Sequence, residues 1–406
     1  MSDDLDGWEA EFVLAADRLD TPDVVEAADP GDMLRQVASA AAQVRTALRS
    51  CRETDLSGFT PDARPRAIVV AGMGSSGVAG DILGAVSGPG TPVQVVTVQT
   101  ERLPGWVGAA DVVLAVSCSG TSTETLAIAT EAARRGCRLA GVGAEGSALH
   151  RIAEQARAPF VPVIPAGLPR SMLWGLTIPL LFIAERLGVV RIDPDIYELT
   201  ASRLEEVSHQ CRPASESFVN PGKSLALDLA GALPVVWGTS VLSGVAARRF
   251  AGQLNENAKY PAIAGVLPSA AHNQLAMFDG PFAPGAGASA GSAQQGQNGA
   301  PDLSTWDPEY DETDEDEASG PTSLRLVVIA DPEEDQLVGA QRAAVTELAA
   351  IRGIGMSELS MDGEHPLVRL AGVVQLTDYA SVYLAIASGI DPGQAAAIQD
   401  LKARIE

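Results

Sequence analysis

Cysteine is scarce. Cys51, Cys118, Cys137 and Cys211 are the only four in 406 residues, and none forms a CxxC pair. That scatter argues against a disulfide framework and a cysteine zinc site, and fits reduced thiols. Aromatics are few at 4%. Alanine, valine, leucine and glycine dominate instead, which suits helices packed on parallel sheets. Basic residues are outnumbered, 28 Lys+Arg against 52 Asp+Glu, for a net charge of −24. Such a chain repels nucleic acid and anionic membranes in bulk, so neither is an expected partner. A phosphorylated ligand would be repelled too, so any phosphate site must be built locally from backbone N–H groups and a few cations. No apolar run reaches the roughly 20 residues needed to span a bilayer. The opening Met1-Ser2-Asp3-Asp4-Leu5-Asp6 is acidic, unlike a signal peptide, and predicts a cytoplasmic protein.

The length suits two domains. Residues 1–60 read as a helical segment, with a helix over Met33–Leu48 capped by Asp32. Short apolar runs typical of buried parallel strands follow at Ala67–Ala71, Val93–Val98, Asp111–Val116, Arg138–Val142 and Pro159–Ile164. Between them lie helices from Val78 and over Thr123–Arg135, and Pro169-Arg170-Ser171 opens an apolar helix to Leu187. A linker containing helix covers about 188–225, and the alternation restarts. Leu233–Trp237, Gly265–Leu267, Leu324–Ile329 and Ile354–Leu359 are strands; Val241–Glu256 and Pro366–Ser388 are helices. This order predicts an α/β protein of two doubly wound parallel-sheet domains, 61–195 and 222–390, with a C-terminal helix over 391–406. Residues 283–322 interrupt the second domain. They are rich in Gly, Ala, Ser and Gln, then acidic, and predict a disordered insertion.

Two loops stand where such a fold places a phosphate, at the carboxyl ends of strands. Gly72-Met73-Gly74-Ser75-Ser76-Gly77 lets the backbone approach closely and offers the Ser75 and Ser76 hydroxyls. Ser117-Cys118-Ser119-Gly120-Thr121-Ser122 flanks one glycine with the hydroxyls of Ser117, Ser119, Thr121 and Ser122. Either alone is also an ordinary strand-to-helix turn. Two at successive crossings of one sheet favour a phosphate pocket. The first is not a dinucleotide motif, because no acidic residue ends the next strand, and no Lys-Ser/Thr follows to make a P-loop.

Leu254-Asn255-Glu256-Asn257-Ala258-Lys259 sets a carboxylate among amides, and His272-Asn273 follows. Carboxylate and imidazole are the usual groups for moving protons near neutral pH. Singly, Glu256 reads as a helix-end carboxylate, His272 as a structural or exposed histidine, Arg170 as a turn cap and Lys402 as a solvated terminal lysine. Their value lies in combination.

These motifs carry a resemblance. The loops Gly72–Asp81 and Ser117–Ser122 resemble those of sugar isomerase (SIS) domains. Pro169-Arg170, Asn255–Lys259, Leu267-Pro268 with His272-Asn273, and Leu401-Lys402 resemble the bifunctional phosphoglucose/phosphomannose isomerases. The resemblance runs from about residue 60 to the C-terminus, apart from the insertion. It implies two flavodoxin-like SIS domains, no metal or cofactor, and a homodimer with composite active sites. Carried over, Gly74, Ser75, Ser76, Ser117, Ser119, Thr121 and Ser122 form the phosphate site. Glu256 shuttles a proton between C1 and C2 through an enediol, and Arg170 stabilises the developing charge. His272, from the partner subunit, and Lys402 assist ring opening. The implied reaction interconverts glucose 6-phosphate and fructose 6-phosphate and leaves mannose 6-phosphate open. The pattern departs from the family at Cys118 (often tyrosine), Thr121 (often asparagine), Gln274 (often glutamate) and Ala395, where dual-specific members place a threonine. A different class, a phosphosugar-binding regulatory SIS protein without turnover, shares the fold. An amino-sugar phosphate isomerase is a third reading.

Overall fold

The computed structural model describes residues 15–284 and 322–405. The insertion reading for 283–322 falls almost wholly outside them. Two all-parallel sheets organise the chain, ordered β2-β1-β3-β4-β5 and β7-β6-β8-β9. The first comprises β1 Ala67–Ala71, β2 Gln94–Val98, β3 Val112–Ser117, β4 Arg138–Gly143 and β5 Phe160–Pro162. The second comprises β6 Leu233–Gly238, β7 Ile263–Val266, β8 Leu324–Ala330 and β9 Gly355–Ser360.

Both faces of each sheet are covered, which is why its strands read as unbroken apolar runs. In β1, Ile68 and Val70 enter the main core, while Val69 and Ala71 join a smaller outer cluster. In the second sheet, Val236, Val327 and Ile329 face the same main core and Val235, Trp237 and Val328 an outer one. One core therefore runs through both halves. Helix Pro366–Ala387 lies within it, with 94% of its most apolar window buried. Length and composition alone would let its 22 residues cross a bilayer. Its buried Arg369, Gln375 and Asp378 mark a helix of the protein interior instead.

Several elements differ from the sequence expectation. Asp32 does not cap the first long helix: it sits at φ 52°, and its side chain bonds no helix amide. Asp29 does so instead, its two carboxylate oxygens accepting from Met33 N and Leu34 N at 2.8 Å each. The expected Met33–Leu48 helix is two helices, Met33–Ala38 and Ala40–Glu53, separated at Ser39. The helix expected from Val78 starts at Ser75, because Gly74 at φ 53° turns the chain sharply into it. Regular helix ends at Gln253 rather than Glu256. Helix Gln336–Ile351 was not expected at all; it buries only Val338, Val345 and Ala349, too thin a stripe to stand out.

Candidate active site

In each sheet the first connection winds one way and the next the other, leaving a crevice between adjacent strands. In the first sheet this switch point lies between β1 and β3, the usual ligand position in an open α/β sheet. The two loops singled out in the sequence leave these two strands. Helix Ser75–Ser87 follows β1, which puts Ser75 and Ser76 in its first turn, at the positive end of its dipole. Helix Thr123–Arg134 follows β3, with Ser122 as its N-cap residue.

The second loop is held by its own hydroxyls. Buried Ser117 Oγ accepts from Gly120 N at 3.1 Å and shares a hydrogen bond with Ser122 Oγ at 3.0 Å. Ser119 Oγ and Thr121 Oγ1 share one at 2.9 Å, on the exposed side. Gly120 sits at φ 67°, and a Cβ there would come within 2.0 Å of Ser147 Oγ, so glycine is required twice over. Cys118 turns into the main core, and burial raises its thiol pKa. Its departure from tyrosine therefore changes core packing, not the exposed hydroxyl face.

Arg170 and Glu256 come from different halves of the chain and are brought together. Arg170 lies in a single 3₁₀ turn, Pro169–Ser171, and is 7% exposed. Its Nε donates to Asn257 Oδ1 at 2.8 Å, and its Nη2 donates to the carbonyls of Pro392 (2.6 Å) and Gly393 (2.9 Å). Its Nη1 bonds no described residue, leaving one amino group for a ligand. Burial draws the Arg170 pKa below the usual guanidinium value, and the charge of nearby Glu256 partly offsets this. Glu256 stands on a π-helical turn, Leu254–Ala258, that continues helix Val241–Gln253. Such turns recur at functional sites because they re-aim a few side chains without ending the helix. Half-buried Glu256 is followed by fully buried Asn257, whose Nδ2 donates to Ser381 Oγ at 2.9 Å.

Lys259 closes this turn. It adopts φ 60°, and its Nζ donates to the carbonyls of Glu256 (3.2 Å), Asn257 (3.0 Å) and Asp391 (2.9 Å). Arg170 and Lys259 thus both clasp the segment Asp391–Gly393 that leads into helix Ala396–Ile405. From sequence alone, Lys259 carried no role of its own.

Arg249 and Asp378 were also missed. Arg249 pairs with Asp378 through Nε (3.1 Å) and Nη2 (2.9 Å), donates from Nη2 to the Arg170 carbonyl at 2.6 Å, and from Nη1 to Ser75 Oγ at 3.0 Å. A single buried side chain thereby ties the first glycine-rich loop to Arg170. Sequence offered only a weak signal: an arginine seven residues before Glu256, on a helix with no other use for it.

His272 and Lys402 are not brought to this cluster within one chain. His272 is exposed on the short helix Ser269–Asn273 beyond β7, and it hydrogen-bonds neither Glu256 nor Arg170. Lys402 is exposed on helix Ala396–Ile405. Gln274 locks the turn beside His272: its Oε1 accepts from Trp237 Nε1 at 2.6 Å and its Nε2 donates to the Ala264 carbonyl at 3.1 Å. An ionised glutamate could make only the first of these bonds. Among the described residues, no group of His, Cys, Asp and Glu is arranged to hold a metal ion.

Known proteins resemble this chain in sequence and in fold. Residues 218–405 match the family described as the bacterial phospho-glucose isomerase C-terminal SIS domain. A bifunctional phosphoglucose/phosphomannose isomerase of Caldicellulosiruptor bescii is 27% identical over 341 residues, covering 83% of this chain and 89% of that protein. Another, from Thermoplasma acidophilum, is 26% identical over 339 residues, with 83% and 89% covered. A hypothetical protein of Thermus thermophilus shares the fold, with a TM-score of 0.65, 14% identity, and 97% of this chain and 93% of that one covered. The fold defines an α/β protein of two parallel sheets, the second lying in the segment that matches the SIS family model. Within that class, the chain is similar over most of its length to bifunctional phosphoglucose/phosphomannose isomerases.

Proposed function

We propose that this protein is a cofactor-independent aldose–ketose isomerase that interconverts glucose 6-phosphate and fructose 6-phosphate. The observation that carries this reading is the chain of contacts from Ser75 through Arg249 to Arg170, and from Arg170 through Asn257 to the turn bearing Glu256. These contacts support a site in which the Glu256 carboxylate transfers the proton, the Arg170 guanidinium has one free amino group, and a hydroxyl-bearing loop is tied to both by hydrogen bonds. A sugar phosphate has that shape, with an anion at one end and a carbonyl at the other.

The phosphate would sit against Ser75, Ser76, Ser117, Ser119, Thr121 and Ser122, close to Gly74. Anchoring it lets remote binding energy hold C1 and C2 against Glu256. The Glu256 carboxylate removes the C2 proton of the open aldose. The C–H electron pair becomes the C1–C2 double bond, and the carbonyl pair moves to O1. Arg170 Nη1 faces the resulting enediolate charge, where a fixed cation stabilises the transition state more than the ground state. Return of the proton to C1, with transfer of the hydroxyl proton from O2 to O1, gives the ketose. His272 and Lys402 would open the ring. Their exposed positions fit a homodimer in which His272 serves the partner's Glu256. The absence of the threonine hydroxyl at Ala395 favours glucose over mannose phosphate. We assign the domains to 61–195 and 222–390, and the protein to the cytoplasm.

The test is direct. Purified protein incubated with fructose 6-phosphate should yield glucose 6-phosphate, with mannose 6-phosphate the lesser product. Glu256→Gln should lower kcat by about 10²- to 10⁴-fold while still binding the sugar phosphate. In deuterated water the product should carry label at C1 or C2. Saturable binding without turnover would instead make this a phosphosugar sensor.

A further inference from the structure

Arg249 lies in the second half of the chain yet donates to Ser75 in the first. It is 4% exposed, and Asp378, from the central helix Pro366–Ala387, neutralises it through two parallel hydrogen bonds. A charge so balanced attracts a distant phosphate weakly. What it fixes is direction. A guanidinium can only donate, so in the 3.0 Å contact with Arg249 the Ser75 hydroxyl must accept. Its own proton is then left to point elsewhere. Ser75 Oγ donates to no described residue, and it stands in the first helical turn beside the β1–β3 crevice. The same guanidinium holds the Arg170 carbonyl at 2.6 Å, the backbone oxygen of the residue whose side chain carries the free Nη1.

We propose that Arg249 is a positioning residue that commits the Ser75 hydroxyl proton to the substrate phosphate and sets the backbone of Arg170, so that both ends of the site are held by one side chain. Lysine cannot replace it. An ammonium lacks the planar fork needed to pair Asp378 through two bonds while reaching Ser75 and Arg170 in separate directions. Arg249 and Asn257 lie eight residues apart near one helical face, and both end on helix Pro366–Ala387, at Asp378 and at Ser381. The substrate named here rests on the isomerase reading above; the geometry does not.

The experiment is a double-mutant cycle in the full-length protein: wild type, Arg249→Lys, Ser75→Ala and the double variant. Binding of inorganic phosphate and of fructose 6-phosphate is measured by calorimetry, and turnover in parallel. Each single variant should weaken phosphate binding by about 5- to 20-fold. The double should be no weaker than Arg249→Lys alone, within about twofold, because the two changes remove one interaction. Arg249→Lys should also lower kcat by about tenfold through Arg170, whereas Ser75→Ala should act mainly on KM. Independent, multiplying losses would overturn the inference. So would an Arg249→Lys protein that is less stable but binds phosphate like the wild type. If Arg249→Lys does not fold, Ser75→Ala decides: unchanged phosphate affinity there overturns the inference. A wild type that binds phosphate without isomerising removes the isomerase reading and leaves the cycle readable. One that does not bind phosphate removes both.

Discussion

Asn255 and Asn257 look alike in the sequence, two amides flanking one carboxylate, and their environments are opposite. Asn255 is exposed and gives one hydrogen bond, to the Tyr260 carbonyl at 2.7 Å. Asn257 is fully buried and stands between Arg170 and Ser381, accepting from the first and donating to the second. Removing the Asn257 amide would strand a buried guanidinium N–H and let the Arg170 side chain swing. We expect Asn257→Ala to cost about 1–3 kcal/mol of stability and to lower kcat with little change in KM, because in the proposed mechanism Arg170 acts on charge that develops only in the transition state. Asn255→Ala should stay within about 0.5 kcal/mol of wild type. Urea unfolding and steady-state kinetics on both variants check this; equal effects at the two positions would contradict the assigned roles. Glu256, Arg170 and the loop serines were legible from residue type and order. The asymmetry of the two asparagines was not, because it depends on which side of the π-helical turn faces helix Pro366–Ala387. Arg249 and Asp378 were invisible for the same reason: they are 129 residues apart and meet only when the two halves close.

At the scale of elements, the strands were the readable part, since sheets covered on both faces demand continuous apolar runs. Helix ends were less so. The start at Ser75 depends on one backbone angle at Gly74, and the end at Gln253 on a change of hydrogen-bond spacing that leaves composition unchanged. The loop after β3 offers a test of such local geometry. Gly120 packs against Ser147, whose side chain accepts from His150 N and so caps the helix Ala148–Gln155. A methyl at Gly120 would combine left-handed strain, about 1–2 kcal/mol, with a collision that dislodges that cap. Gly120→Ala should therefore lower stability by more than strain alone and weaken phosphate binding. Adding Ser147→Gly should recover the collision but not the strain. Thermal unfolding of the two single variants and the double measures this directly; strict additivity would show that Gly120 and Ser147 do not meet.

At the scale of the whole molecule, the proposed reaction needs the exposed His272 to meet Arg170 and Glu256, from which it stands apart within one chain. Helix Ala396–Ile405 bears Lys402 and leaves Ile398 and Leu401 at 45% and 58% exposure. Both are apolar positions of this helix, and no described residue of the same chain covers them fully. A second copy of the chain would account for both observations, by covering an apolar face and by delivering a histidine. Closed twofold symmetry then makes a quantitative demand. Glu256→Gln and His272→Ala are each expected to be nearly inactive alone. When the two chains are co-expressed, a mixed dimer holds one site with both residues intact and one with neither. Half of all dimers are mixed at equal expression, so activity should return to about one quarter of wild type. If each site were built within a single chain, no mixed dimer would contain an intact site, and co-expression would restore nothing. Sedimentation of the wild type supplies the companion measurement: a monomer at assay concentration would exclude the composite site, even with isomerase activity present.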